Sequence, residues 1–430
     1  MKQKPHNNTP SLLTQAVRTT LLASLVLHGP IAFAASTDNS KDSNSLAVSI
    51  SGNGQLLTYT HIANSANGYP EVFVQDLNTG KKTRVSVSAD GKKANGGSNL
   101  SSISSNGRYV AFDSQASNLV ADDSNSATDI FVRDLKTSKT ERISIATDGT
   151  QANADSMLAA ISPDGGYVAF SSTASNLVKN DGNGAAADIF VRNRNTHETT
   201  RITSSEGIES DGQDDYPSIS EGGHFVAFTS TATNLVPDDT NNMPDIFVYN
   251  SDTGVTTRVS VASDGAEGNA PSLIAALSHD GRYITFTSLA SNLVPGDTNN
   301  SWDAFVHDRE THQTTRISVA SDGAEGNADS KLPVISANGA IVAFVSQADN
   351  LVKNDTNGKA DVFIHNLKNH RTTRLTTAFD GTNANGDSDY PSISDNGRFV
   401  AIESYATNLI LNDTADDRPD IFVVDLRVKP

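Results

Sequence analysis

Six aspartates recur at one fixed interval: Asp123, Asp181, Asp239, Asp297, Asp355 and Asp413. Most begin an Asp-x-Asn pair, with Asn125, Asn183, Asn241, Asn299 and Asn357, and a further acid closes each loop at Asp129, Asp188, Asp245, Asp303, Asp361 or Asp420. Several hard oxygens within one loop are the ligand type that Ca2+ prefers. The candidate metal ligands are therefore Asp123, Asn125 and Asp129; Asp239, Asn241 and Asp245; Asp297, Asn299 and Asp303; and Asp355, Asn357 and Asp361. The same residue types also make Asx-turns that pin a long loop to its own backbone. A structural turn would repeat as faithfully as a metal loop, so recurrence alone leaves both open.

A second polar loop repeats as Asp-Gly-x-x-x-Asn, from Asp90 and Asn95 to Asp380 and Asn385. In one copy the place is taken by an acidic run containing Glu206, Glu209, Asp211, Asp214 and Asp215. A specific site in a repetitive protein is expected where repetition breaks, so Glu206, Asp211, Asp214 and Asp215 are candidate binding residues. Trp302, the single tryptophan, joins them as a stacking surface for a sugar or an anchor for a protein, or else as a cap on its own repeat. No catalytic residue is assigned. There is no Gly-x-Ser-x-Gly elbow, no His-Glu-x-x-His and no cysteine. His307 and His365, with His197, His312 and His370, are spread repeat by repeat and read as solvated side chains. Arg84, Arg142, Arg201, Arg258, Arg316 and Arg374 read as inter-repeat salt bridges or bonds to neighbouring turns.

These loops are held by one unit repeated seven times. Its turn glycines are Gly54, Gly107, Gly165, Gly223, Gly281, Gly339 and Gly397, evenly spaced after a slightly shorter first interval. Each unit carries four short β signals: an Ile-Ser segment, an Asn-Gly or Asp-Gly turn into Tyr-Val-Ala-Phe, then Asp-Ile-Phe-Val, then Thr-Thr-Arg-Ile-Ser. Seven four-stranded meanders predict an all-β, seven-bladed propeller. The seventh unit ends with its third strand, so its blade is expected to be three-stranded or weakly closed, with Ser36–Ser45 a poor source of a fourth. Strand alternation puts both long loops on one face and the short hairpins on the other.

The Ser-x-Asp-Gly-x-x-Val-Ala-Phe hairpin followed by Asp-Ile-Phe-Val-x-Asp-Leu resembles the propeller repeat of TolB-type proteins, itself similar to the WD repeat. The resemblance spans about residues 46–426 and implies binding of another protein through the propeller. The chain departs from TolB in having no α/β domain before the first strand and in its longer repeat.

The rest of the sequence bounds compartment and partner. Lys2, Lys4 and Arg18 precede an apolar run, and Ala32-Phe33-Ala34 offers a small-x-small cleavage site. Residues 1–34 are read as a signal peptide cleaved after Ala34, 35–45 as a polar linker and 46–430 as the propeller. The protein is expected to be periplasmic or secreted, without a membrane anchor, and monomeric. A net charge of −18 argues against a nucleic-acid partner. The expected function is a non-enzymatic binding or scaffold module that presents an acidic loop face to a protein or polysaccharide, with Ca2+ as the ion its loops would hold and no cofactor required. The alternative is a carbohydrate-active lyase or hydrolase with a site in the central channel.

Overall fold

The computed structural model describes residues 32–34, 43–63, 68–184, 186–205, 208–411 and 418–427. They form seven antiparallel blades around one axis. The second blade is typical: Ser98–Ile103 lies innermost, followed outward by Tyr109–Ser114, Asp129–Asp134 and Lys139–Arg142. Alternation along the two middle strands buries an aromatic from each, and the pair stacks: Phe112 on Phe131 at 5.9 Å, with the same contact at Phe170–Phe190, Phe228–Phe247, Phe286–Phe305 and Phe344–Phe363. The hydrophobic clusters alternate around the ring because each blade packs its face on the next.

The turn glycines have positive φ in every blade, from Gly54 at 71° to Gly397 at 65°. At Gly281, φ is 68° and an added Cβ would lie 2.2 Å from the Phe225 ring. Gly281→Ala therefore meets both left-handed strain and a collision, and is expected to cost about 2 kcal/mol or more. A denaturant titration of both proteins checks this.

Backbone hydrogen bonds link these turns into an open ring on the hairpin face. Gly52 N donates to Ser105 O, Ser105 N to Pro163 O, Asp395 N to Gly52 O, Ala337 N to Asp395 O, His279 N to Ala337 O and Glu221 N to His279 O. Pro163 has no N–H to continue the ring. Across its centre, Ser105 Oγ donates to Asp395 Oδ1 at 3.1 Å and His279 Nε2 lies 3.2 Å from the same oxygen. These contacts narrow that end of the channel.

The seventh repeat supplies three strands, Ser388–Ile393, Phe399–Ser404 and Asp420–Asp425. Ala32–Ala34 lies along the outer edge, pairing Ala32 with Asp425 and Ala34 with Val423. That strand falls inside the segment read as the export signal, so cleavage after Ala34 leaves this blade three-stranded. The rest of that segment, and most of the polar linker, lie outside the described residues. Ser43–Ile50 is the innermost strand of the first blade. Among the described residues, no helix is long and apolar enough to cross a membrane.

Candidate functional site

Each innermost strand is interrupted at the same place by a bulge, between Asn99 and Ser102 in the second blade and at equivalent positions in the other six. The bulge residue is left-handed without being glycine: Ala47, Leu100, Leu158, Tyr216, Ile274, Leu332 and Tyr390, with φ between 42° and 59°. Such a backbone costs of order 1–3 kcal/mol per residue and persists only where its surroundings hold it. Here the hold is partly a side chain of the preceding blade. Ile274 N donates to Thr229 Oγ1 at 3.1 Å and Leu332 N to Thr287 Oγ1 at 3.2 Å, while the Leu158 and Ala47 N–H groups stabilise the charge of the Asp113 and Glu403 carboxylates. Tyr390 N instead donates to its neighbour Asp389 at 2.9 Å.

The seven side chains converge on the axis and line a cavity of 310 Å³. Leu100, Tyr216 and Tyr390 are 43%, 46% and 53% exposed, which is unusual for large apolar groups placed by strained backbone. The collar lies near the start of each innermost strand, toward the long-loop face. With the hairpin ring narrowing the other end, it forms the lining of a well.

The carboxyls behind the collar are perturbed by burial. Asp113 is pushed up to about 6 and Glu403 to about 7, each held back only by backbone N–H donors. Asp389 is raised for the same reason, with the Tyr390 N–H opposing the shift. Because the folded state holds the Glu403 proton more tightly than the unfolded chain does, stability falls as pH rises from about 4 to about 7. Glu403→Gln is expected to raise the melting temperature at pH 8 by several degrees and leave it unchanged at pH 4.

The Asp-x-Asn loops are built around arginine. In the fourth blade Arg258 Nη1 lies 3.5 Å from Asp239 and 3.6 Å from Asp245, and also bonds Glu267. Arg316 meets Asp297, Asp303 and Glu325 in the same way, and Arg201 meets Asp181, Asp188 and Glu209. Arg142 joins Asp123 and Asp129 at 3.1 and 3.4 Å, and Arg374 joins Asp355 and Asp361 at 2.9 and 3.5 Å. These arginines pair with the acids of their own blade and with the adjoining loops, where Arg258 also donates to Asp238 O and Arg316 to Gly296 O. The expected bonds to neighbouring turns are therefore present, while the expected inter-blade bridges are not their main partners. The asparagines serve the loop: Asn241 donates to Asp245 Oδ2 and Gly268 O, and its carbonyl accepts from Met243 N. Asn125, Asn299 and Asn357 repeat these bonds.

In three consecutive blades the carboxylates are close enough to share a cation. Asp181, Asp188 and Glu209, then Asp239, Asp245 and Glu267, then Asp297, Asp303 and Glu325 each bring one ligand atom apiece within 4.8 Å of the others. Burial, then the neighbouring carboxylate, raises Asp181, Asp239 and Asp297 to about 6. Glu209, Glu267 and Glu325 share one phase of the repeat, a regularity the loop pattern could have exposed. Gln151 and Asn383 hold that phase elsewhere, each bonded to the local arginine.

The remaining sequence candidates separate. Asp214 is fully buried, in the phase where five other blades place a serine bonded to the next strand's serine, as in Ser98–Ser114 and Ser272–Ser288. Its oxygens make no hydrogen bond of good geometry; burial pushes its carboxyl up to about 7, and the nearby Ser230 and Ser210 hydroxyls oppose the shift. Asp215 points elsewhere and accepts from Ser171 Oγ at 2.7 Å. The two acids therefore do not form a pair at the channel. Asp211 accepts from Thr233 N and Oγ1 at 2.7 and 2.9 Å, a loop-bridging role that Asn153 plays toward Ser175. Glu206 and Asp413 lie outside the described residues. Trp302 is half-buried, its backbone tied to Asp329 and Ser330 and its ring 5.8 Å from Lys331 Nζ, beside collar residue Leu332.

His307 and His365 are not solvated. They are buried in the third strands, bonded to Thr314 and Thr372 at 2.9 Å, and burial lowers both to about 4. Sequence reasoning also missed the Ser105, His279 and Asp395 cluster, which comes from three separate blades. Ser105 Oγ and Asp395 Oδ1 both approach His279 Nε2, at 3.4 and 3.2 Å. A nucleophilic triad needs the acid on one ring nitrogen and the serine on the other, so this is a latch rather than a relay.

No protein-family model matches the sequence, and no curated protein matches it. Among solved structures, the chain is similar to the β-propeller domain of the trilobed protease from Pyrococcus furiosus, which has an open velcro topology. The TM-score is 0.55 at 11% identity, over 89% of this chain and 95% of that one. It is similar to oligogalacturonate lyase from Vibrio parahaemolyticus at TM-score 0.55 and 12% identity, over 92% and 97%; an oligogalacturonate lyase in complex with manganese matches at 0.52 and 13%, over 94% and 97%. TolB from Acinetobacter baumannii matches at 0.41 and 16%, over 87% and 81%. The likenesses to the trilobed protease propeller and the oligogalacturonate lyases establish the propeller fold.

Proposed function

We propose that the protein is an exported, non-enzymatic binding module that takes an apolar anchor of a protein partner into the well on its long-loop face. The observation that carries this reading is the collar: seven strained positions direct Ala47, Leu100, Leu158, Tyr216, Ile274, Leu332 and Tyr390 toward one cavity. Aliphatic groups around an axis favour an apolar side chain over a sugar. The surrounding acids favour a partner with basic residues beside that anchor. Arginine is the resident cation of the loops in this reading, so Ca2+ is not required for folding. A polysaccharide is the second reading, favoured by the exposed faces of Tyr216, Tyr390 and Tyr405.

The lyase or hydrolase alternative draws no support from Asp214 and Asp215, which occupy different environments. A panel of polysaccharides incubated with the protein separates the readings. The binding module predicts no new unsaturated or reducing ends, and at least tenfold weaker capture of any bound partner by the Tyr216→Ala, Tyr390→Ala double variant. Turnover of any polysaccharide by the parent protein, whether or not it survives the double variant, would refute it.

A further inference from the structure

Five of the second strands begin with an aromatic ring: Tyr109, Tyr167, Phe225, Tyr283 and Phe399. Four of the five carry an arginine on that ring. Arg108, Arg282 and Arg398, each the residue before its ring, place their guanidinium carbon 4.7, 4.8 and 4.3 Å from the ring centres of Tyr109, Tyr283 and Phe399. From the following blade, Arg194 lies 4.2 Å from Tyr109 and Arg309 4.2 Å from Phe225. Arg194 also donates to Glu141 Oε1 at 2.7 Å and to Gly165 O, and Arg309 donates to Gly281 O at 2.9 Å.

Tyr167 has neither arginine. Gly166 precedes it, and Ser251 holds the place of Arg194 and Arg309. Ser251 Oγ donates to Gly223 O at 3.0 Å, the carbonyl equivalent to those of Gly165 and Gly281, but its side chain is too short to cover the ring. In the other four blades the same place is filled by Leu77, Leu135, Leu367 or Leu426, each packed into a hydrophobic cluster. Between the third and fourth blades both fillers are missing, and a cavity of 320 Å³ opens there. Tyr167, Tyr249 and Ile202 give it apolar walls, and Glu198 and Asp252 give it carboxylates, the latter shared with His224 Nδ1 at 3.0 Å. Glu198 stands two residues before Thr200, the counterpart of Glu141, and so on the same side of its strand.

We infer that this slot binds an alkylguanidinium from outside the chain, its plane on Tyr167 and its charge toward Glu198 and Asp252. The protein itself shows the chemistry, because at two equivalent interfaces an arginine of its own occupies the place. A planar, weakly hydrated guanidinium stacks on an aromatic face, whereas an ammonium of equal charge is more strongly hydrated. The slot opens on the hairpin face, away from the well, so neither reading depends on the other.

Ligand-observed NMR titrations with n-butylguanidinium and n-butylammonium, at one ionic strength, test the site. Saturable binding of butylguanidinium is expected, at least tenfold tighter than that of the ammonium. Ser251→Arg supplies a tethered guanidinium and should abolish the binding while raising the melting temperature. Tyr167→Leu, which matches Leu56 of the first blade, should keep the fold and weaken binding at least tenfold. A blocked Gly-Gly-Arg-Gly-Gly peptide separates the two sources of the group: tighter binding than butylguanidinium assigns the slot to an arginine side chain, and weaker binding to a free small molecule. No saturable binding of either guanidinium, equal binding of the two butyl cations, or binding unchanged in a folded Ser251→Arg or Tyr167→Leu variant would overturn the inference.

Discussion

Arg258→Ala is expected to destabilise the protein by about 3–5 kcal/mol, the cost of leaving buried carboxylates without their cation. Arg258 is 8% exposed, Asp239 1% and Asp245 not at all, so water cannot replace the guanidinium. The variant also exposes what the loops would do with a metal. Asp239, Asp245 and Glu267 would then present oxygens within 4.8 Å of one another and no internal positive charge. Ca2+ should recover part of the lost stability in Arg258→Ala while leaving the parent's melting temperature unchanged. A ligand bound only to the native state contributes about 2.7 kcal/mol at a hundredfold excess over its dissociation constant. Melting curves of both proteins in EDTA and across a Ca2+ titration decide the point. A rise of many degrees in the parent with Ca2+ and not with Mg2+ would make the loops metal sites as they stand.

Asp214→Ser is expected to stabilise the protein at pH 8 by about 4 kcal/mol, the cost of ionising a carboxyl whose pKa has moved from 3.8 to about 7. The native state holds this proton more tightly than the unfolded chain, so the penalty is absent below about pH 4. It grows as pH rises to about 7 and is constant above. Serine is the residue at the same phase in the neighbouring blades, where it bonds Ser114, Ser172 or Ser288 across the strand pair. The replacement therefore restores a satisfied pair, here with Ser230, and leaves no cavity larger than the lost carboxyl. Urea titrations at pH 4 and pH 8 check both the gain and its pH dependence; an equal gain at the two pH values would locate the cause in packing rather than charge.

The fold was legible because one glycine turn recurs at a fixed interval and each strand between turns alternates. The candidate site was less so, for identifiable reasons. The collar positions hold leucine, tyrosine, isoleucine and alanine, none of which announces a left-handed backbone; the bulge imposes it, and the side-chain oxygens of the preceding blade sustain it. The aspartate loops were found, but their arginines stand on the fourth strand, beyond the whole third strand that the closing acid begins, as Arg258 does from Asp245. Only pairing of the third and fourth strands brings them together. His307 and His365 read as polar and exposed, yet occupy a phase where Arg133 and Arg192 also reach a strand-four threonine. Asymmetry pointed at Asp211, Asp214 and Trp302. Asp211 bridges two loops of its own blade through Thr233, and Asp214 is buried without a hydrogen bond of good geometry. Trp302 is tied by its backbone to Asp329 and Ser330 of the next repeat.

The central claim is that a partner engages the well from the long-loop face. A photoreactive phenylalanine analogue placed at Tyr390, and separately at Lys368 on the hairpin face, tests it in intact cells. The account predicts a discrete cross-linked species from position 390, lost when Leu100 and Leu332 are changed to aspartate, and none from position 368. Cross-links from 368 alone, or none from 390 while the protein is folded and present, would contradict it.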